Sequence, residues 1–442
     1  MALIDFNPVT VSNTASAPAA PVFTHGSTEN ANGATSVADA AVPFPENALF
    51  ERFAPVFDRI AAGAVERERN RTLAYDAVGW LRDAGYTKLR IPKRYGGDGI
   101  TLSQFFGLVT RLGEADSNLP QILRVHAGFI EMLLEDSNDA FRERWFREIV
   151  DGKIIAGAVS ERTGVTNNSV RVSRQEGNGE DWQLDGEKFY TTGSLYADWI
   201  DVSANDGEGD VRVLVRADTP GLHRIDDWDG FGQRLTSSGT VRFDGVPVPH
   251  DQIYRRFDAS RPRRHTLQTS FFQQIHLANL AGIARATLRD AVAFTKPRTR
   301  TFGVGGESRP AENPLVQRVV GRIASLAFSA QNTSDAISRA FDAVTTARAE
   351  GRTDDDTYIR LEIQVFQAQQ IILEQTLQAA TLLFEVGGAT ATSETRRLDR
   401  HWRNARVLAS HNPATQREAA IGAFYLAGKG QQETFGLGRL ER

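Results

Sequence analysis

The chain has 442 residues, 41% hydrophobic and 24% charged, a formal net charge of -4 and no cysteine. That balance suits a globular protein with a large core. It excludes disulfides, thiolate metal centres and cysteine nucleophiles, offers no overall attraction for nucleic acid, and leaves no apolar run long enough for a membrane, so a cytoplasmic setting is expected.

Residues 1–42 carry only three charges, Asp5, Glu29 and Asp39, among Ala, Ser, Thr, Asn, Pro and Gly. Such a segment buries too little surface to offset its ordering entropy, so a disordered tail is expected. It also lacks the basic start and apolar stretch of a secretory signal. From Pro43, Phe50, Phe53, Phe57 and Ile60 recur at three-and-four spacing, the apolar face of a helix. Val78 and Leu81 mark a second helix that stops at Gly85. Ile91–Gly99, IPKRYGGDG, reads as a turn, and helical patterns resume from Leu102 to about Ile149.

The period then changes to two. Trp182 and Leu184 alternate with polar residues before Asp185-Gly186, which reads as a hairpin turn. Val211, Val213 and Val215 alternate, as do Val241 and Phe243 before Asp244-Gly245, and Pro247 and Pro249 are expected to end the sheet. Short strands with tight turns predict a small barrel or sandwich. From about Thr266 the pattern is helical again, and the stretches Leu277–Thr295, Val316–Arg348 and Thr357–Val386 predict a four-helix bundle. The expected organisation is α+β: a helical domain over 43–153, a β-barrel domain over 154–262 and a helical bundle over 263–442. GVGGE at 303–307 lacks the ending of a phosphate loop and reads as a connection between bundle helices. Neither a HExxH metal motif nor a Gly-x-Ser-x-Gly elbow is present.

This order, with IPKRYGGDG, VSERTG, LDGEKFYTTG, GFGQRLTSSGTVRFDGVPVP and FEVGGAT followed by RLDRHWRNARV, resembles the acyl-CoA dehydrogenase superfamily over roughly residues 45–440. The ungapped FEVGGATATSETRRLDRHWRNARVLASHNP, with DDWDGFGQR and ADSNLPQILRVH, resembles in particular its dibenzothiophene monooxygenase branch of sulfur-acquisition oxygenases. The resemblance implies the acyl-CoA dehydrogenase fold and a flavin, FMN by analogy with the sulfur branch and FAD as the alternative. It also implies a homotetramer in which a neighbour completes the flavin site.

A dehydrogenase of this family needs a carboxylate to take a proton from its substrate. Where the family usually has Tyr-Glu-Gly-Thr, this chain has His411, Asn412, Pro413 and Ala414, and the other familiar location, within His265–Ala284, holds neither Asp nor Glu. A carboxamide cannot accept that proton, and Glu418 is the fallback base. An oxygenase instead needs groups that hydrogen-bond and protonate an oxygen adduct of reduced flavin, a C4a-hydroperoxide. Histidine suits that work because it titrates near neutrality. By resemblance, His411 lies at the reactive edge of the flavin, His126 faces it across the cavity, and Thr192 offers a hydroxyl donor near the flavin nitrogen. Asn412 stands where the dibenzothiophene enzyme has aspartate, and it would hold an imidazolium less strongly. Taken singly, His126 also fits a satisfied core histidine, and Tyr190 and Trp228 also fit core packing.

Resemblance further assigns Ser160 to the pyrimidine end of the flavin and Tyr190 and Trp228 to the ring. Lys296, Arg298 and Arg300 are assigned to phosphates, and Gly387 and Gly388 to a glycine turn near the cofactor. Thr390 replaces an arginine there, and the arginines at 396, 397, 400, 403 and 406 read mainly as surface charge and salt bridges. The leading expectation is a two-component monooxygenase that uses reduced FMN and O2 on an organosulfur or related small substrate. A separate NAD(P)H flavin reductase would serve it, since the chain shows no nicotinamide fingerprint. The alternatives are an FAD-dependent acyl-CoA dehydrogenase or desaturase with a displaced base, and a flavin-binding protein without turnover.

Overall fold

The computed structural model describes residues 48–162, 168–174, 182–257, 265–299 and 309–431. The expected N-terminal tail, the boundary at 262/263, Arg300 and GVGGE lie outside these residues.

Among the described residues six α-helices come first: α1 (Ala48–Asn70), α2 (Tyr75–Asp83), α3 (Leu102–Ala115), α4 (Asn118–Ile122), α5 (Arg124–Glu135) and α6 (Asp139–Val150). Phe53, Phe57 and Ile60 of α1 are buried, as their spacing requires. Helix α3 begins at a capping box between Thr101 and Gln104, which satisfies two N–H groups at its start. It is buried on nearly every side, because it lies between the other N-terminal helices and the bundle.

Among the described residues eight strands follow: β1 (Ile155–Ala158), β2 (Arg171–Arg174), β3 (Trp182–Lys188), β4 (Trp199–Asn205), β5 (Asp210–Arg216), β6 (Leu222–Arg224), β7 (Val241–Val248) and β8 (Ile253–Arg256). They form one mixed sheet in the order β6-β7-β3-β2-β4-β5-β8, with β1 parallel to β4. Among the described residues β6 and β8 are the ends of this path. The two Asp-Gly signals are corrected. Asp185-Gly186 and Asp244-Gly245 lie inside β3 and β7, where the register slips so that β7 carries an extra residue. Gly245 takes φ 61° there and its N–H is received by Asp185 Oδ1 at 2.8 Å, so the glycine serves a bulge rather than a turn. Pro247 pairs with Gln183 inside β7, and the strand ends one residue later.

The C-terminal region has three long helices, α7 (Gln268–Thr295), α8 (Pro314–Ala349) and α9 (Asp355–Gly387), then α10 (Arg400–Ser410) and α11 (Ala414–Ala427). Helices α7, α8 and α9 pack on one another, and α11 packs on α9. Phe106 of α3 lies edge-on to Phe341 of α8 at 5.2 Å between centroids, and Phe105 stacks on Phe271 of α7 at 5.8 Å. The N-terminal helices and the bundle thus share one core, and the turn after α3 is held against both.

Candidate active site

That turn is where helical region, sheet and bundle meet. Ser117 Oγ accepts from Gln233 Nε2 at 3.2 Å and from Asn404 Nδ2 at 3.0 Å, and its carbonyl accepts from Asn279 Nδ2 at 2.8 Å. Asn118 Oδ1 receives the Leu235 N–H at 3.2 Å, and Asn404 Oδ1 receives the Gln233 N–H at 2.6 Å. All six residues are buried. A buried donor that loses its acceptor keeps its full desolvation cost. Asn404→Leu is therefore expected to lower the unfolding free energy by about 2–4 kcal/mol, read as a lower midpoint in a denaturant titration. An unchanged midpoint would remove this junction from the account.

The same segment carries Gln121 and Arg124 toward the bundle. His411, the residue capping α10, sits opposite them. Arg124 Nη2 donates to His411 Nε2 at 3.3 Å. A guanidinium can only donate, so Nε2 is the acceptor nitrogen and the proton is on Nδ1, which donates to Asn412 Oδ1 at 3.3 Å. Asn412 Nδ2 in turn donates to Gln273 Oε1 at 2.7 Å. Arg417 also donates to Gln273 Oε1, and to Gln369 Oε1 at 2.6 Å. The ring of His276 lies 4.4 Å from that of His411. His276 Nε2 donates to Gln121 Oε1 at 2.9 Å, and its Nδ1 is buried with no partner.

Charge explains the protonation. Burial lowers Arg124 and Arg417 to about 10, so both remain cations at neutral pH. His411 is open at its surface but enclosed by protein below it, and burial and then Arg124 push its pKa well down. Burial and then His411 push His276 well down also. Both imidazoles are therefore neutral at pH 7. This corrects the expectation of a histidine titrating near neutrality: the arginines take the positive charge, and His411 keeps one transferable proton on Nδ1. Behind Arg417, burial raises Glu362 to about 7 while Arg417 draws it down.

Across the turn lies the sheet-domain part of the site. Gly193 takes φ +84°, and a Cβ there would come 2.6 Å from the Ile122 carbonyl oxygen, so only glycine lets the 190–194 loop close onto α4. Among the described residues, Tyr190, Gln233 and Ser237 are three of the five non-glycine residues with positive φ, a concentration of backbone strain typical of functional sites. Tyr190 is 53% exposed, and its ring lies 6.2 Å from that of Trp228 and 4.8 Å from that of Phe189, forming an open aromatic wall. Trp228 Nε1 donates to the Gln233 carbonyl at 3.0 Å.

Thr192 is buried at the end of a chain of hydroxyls. Thr236 Oγ1 donates to the Gln233 carbonyl at 2.8 Å, so the 2.8 Å contact between Ser238 and Thr236 must use the Ser238 proton. The 2.8 Å contact between Thr192 and Ser238 then uses the Thr192 proton. Thr192 is left as an acceptor, which reverses the donor role expected of it.

Other expected site residues are placed elsewhere. His126 is 2% exposed, with Nε2 on the Thr87 carbonyl at 2.7 Å and Nδ1 receiving the Ile155 N–H at 3.3 Å. Both nitrogens are committed to backbone, as in a satisfied core histidine. Ser160 is exposed, and its carbonyl receives the Phe189 N–H at 3.0 Å. Lys296 is exposed, and Arg298 lies over Phe294 and reaches the Val386 carbonyl at 3.4 Å. A Cβ on Gly387 would sit 2.3 Å from the Phe294 ring, so that glycine serves helix packing, while Gly388 is exposed with φ +53°. Arg298, Gly387 and Gly388 thus gather at the far end of α7, roughly 28 Å along the helix from His276 at 1.5 Å per residue. Glu418 is exposed, and it is its neighbour Arg417 that turns inward. Arg124, His276, Gln273 and Arg417 were not singled out from sequence. Their only signal was polarity inside otherwise apolar helices, QQIH in α7 above all.

Among the described residues no helix is long and apolar enough to cross a membrane, and no cluster of His, Asp and Glu could hold a metal ion. Residues 50–153 match the family model for the acyl-CoA dehydrogenase N-terminal domain and residues 275–416 that for the C-terminal domain. The chain is similar to a probable FMNH2-dependent monooxygenase, SfnC, of Pseudomonas putida, 26% identical over 409 residues, covering 89% of this chain and 98% of the relative. It is similar to a dibenzothiophene monooxygenase of Rhodococcus erythropolis, 25% identical over 383 residues, covering 83% and 90%. The crystal structure of FMN-bound TdsC from Paenibacillus sp. A11-2 superimposes with a TM-score of 0.79 at 23% identity, covering 88% of this chain and 100% of that one. With both domain models matched and the helix-sheet-bundle order in place, the chain belongs to the acyl-CoA dehydrogenase family.

Proposed function

We propose that the protein is a two-component flavin-dependent monooxygenase that receives reduced FMN from a separate NAD(P)H flavin reductase and uses O2 to oxygenate a small organosulfur compound. One observation carries this reading. Where a dehydrogenase needs a carboxylate, the chain presents a neutral His411 held between Arg124 and Asn412, with Glu418 turned to solvent. Reduced FMN would supply the electrons that activate O2, as in the relatives described as FMNH2-dependent or FMN-bound.

The residues present fit a flavin. Tyr190 and Trp228 offer an open aromatic face to a planar ring, and Thr192 offers an acceptor. Reduced flavin carries N5–H, a donor, whereas oxidised N5 is an acceptor, so a fixed acceptor favours the reduced cofactor. Ser238→Ala releases the Thr192 proton, and the preference for reduced over oxidised FMN is expected to fall roughly fivefold or more, the scale of one hydrogen bond. Anaerobic and aerobic fluorescence titrations check this, and an unchanged ratio would detach Thr192 from the flavin. His411 would hold and pass a proton at Nδ1, with Asn412 and Gln273 fixing its orientation. We further propose a homotetramer, in which the Arg298 and Gly387–Gly388 end of α7 serves the flavin phosphates of a neighbouring copy.

The test supplies the protein with reductase, NADH, FMN and 18O2 and follows label into the product. Incorporation of one labelled oxygen supports the reading. Reduction of a dye by acyl-CoA substrates without label would establish the dehydrogenase alternative.

A further inference from the structure

We propose that Arg417 is a positioning residue for His411: acting through Gln273 and Asn412, it holds the imidazole proton on Nδ1 from the side opposite Arg124. Where the proton sits is independent of the monooxygenase reading; what it is used for rests on that reading. Asn412 alone does not decide the tautomer. A carboxamide has two ends of nearly the same shape, an oxygen that accepts and an NH2 that donates. A carboxylate beside His411 Nδ1 could only accept, and would fix the proton there by itself. Asn412 turned the other way would donate to Nδ1 and leave the proton on Nε2, facing Arg124, which is itself only a donor. Its orientation therefore has to be set from outside the pair.

Arg417 sets it. This buried residue of α11 has its backbone N–H on the Pro413 carbonyl at 3.3 Å and its guanidinium carbon 4.5 Å from the centre of the Phe366 ring. Its Nη1 is held between two buried glutamines, Gln273 of α7 and Gln369 of α9. A guanidinium can only donate, so both glutamines must turn Oε1 toward it. Gln369 agrees at its other end, where Nε2 meets the Asn412 carbonyl, a pure acceptor, at 3.3 Å. Gln273 Oε1 also meets the Asn412 side chain at 2.7 Å, and an acceptor there demands Nδ2. Asn412 Oδ1 is thereby left for His411 Nδ1, which must carry the proton. One chain of hydrogen bonds thus has a donor-only group at each end, Arg417 and Arg124, and both ends require the same tautomer. Arg124 acts directly but at 3.3 Å, whereas the Arg417 end is made of shorter contacts among buried side chains.

The test locates the proton by solid-state 15N NMR of the full-length, flavin-free protein labelled at the histidine ring nitrogens. The His411 signals are assigned by their loss in His411→Gln. Protonated and unprotonated ring nitrogens resonate far apart, so the tautomer is read directly. In the wild type and in Arg124→Gln the proton is expected on Nδ1, because Arg417 still directs the chain when Arg124 no longer does. In Arg124→Gln/Arg417→Gln the Nε2–H form should appear, with the tautomer ratio shifted roughly fivefold or more, the scale of one hydrogen bond. Arg124→Gln/Arg417→Lys should restore Nδ1–H, since lysine also only donates. A move of the proton to Nε2 in Arg124→Gln alone, or its retention on Nδ1 in Arg124→Gln/Arg417→Gln, overturns the inference. If that double variant does not fold by circular dichroism, Arg124→Gln/Gln273→Met cuts the same link, and Nδ1–H retained there overturns it equally. The expected tautomers without 18O transfer in the wild type would sink the monooxygenase reading and leave this inference standing. Wild-type 18O transfer with the proton unmoved in Arg124→Gln/Arg417→Gln would do the reverse.

Discussion

His411→Ala is expected to cut oxygenation by roughly 10²–10⁴-fold, the usual contribution of a positioned proton donor, while reduced FMN is still consumed and the oxygen is released as hydrogen peroxide. The substitution removes the Nδ1 proton and takes from Arg124 its acceptor. His276 cannot substitute, because its one proton is committed to Gln121 and its free nitrogen is an acceptor. The pH profile separates this from a general loss of structure. His411 is neutral because burial and Arg124 disfavour its charged form, so wild-type coupling should stay flat from neutral pH down to the region where the fold itself weakens. A profile that breaks near pH 6.5, with His411→Ala keeping full coupling, would show that the proton comes from elsewhere. The assay compares labelled product and peroxide per NADH oxidised.

Much of the architecture was legible because it rests on local periodicity. The three-and-four spacing of Phe50, Phe53, Phe57 and Ile60 made α1, and the long uninterrupted stretches made α8 and α9. The Asp-Gly pairs misled because a hairpin and a bulge ask the same thing of glycine, a positive φ. Only the partner strand distinguishes them, and that partner lies about 60 residues away. The site was half legible. His411, Asn412, Thr192, Tyr190 and Trp228 stand in motifs, but their protonation states depend on partners from distant segments, Arg124 for His411 and Thr236 for Thr192 by way of Ser238. His126 looked like a site residue because it neighbours the ADSNLPQILR segment that builds the site. A helix turns 100° per residue, and at position 126 the side chain points to the Thr87 and Ile155 backbone rather than toward His411.

The acid stability of the fold should depend strongly on that same His126. Burial lowers its pKa to about 4, because the charged form is poorly solvated and protonating Nδ1 would strand the Ile155 N–H. His401 is held at about 4 by burial and Arg400, although it donates to Asp290. The sign follows from proton counts. Between about pH 6.5 and 4 the unfolded chain binds protons at these histidines and the folded chain does not, so stability is complete above pH 6.5 and is lost as the pH falls toward 4. For His126 alone the loss is on the order of 2–3 kcal/mol across that window. Glu362, raised to about 7 by burial, acts oppositely, since its folded form takes up a proton first on acidification. Wild-type curves alone therefore mix the two signs, and a difference measurement isolates the histidine. In His126→Gln the amide can donate to Thr87 and accept from Ile155 without titrating. That variant is expected to be modestly less stable than wild type at pH 7.5 and to lose less stability between pH 6.5 and 4.5. Urea midpoints at several pH values measure this directly. Parallel curves for the two proteins would mean that His126 is already protonated in the fold, and with it that the backbone pair at Thr87 and Ile155 does not hold the ring as the geometry requires.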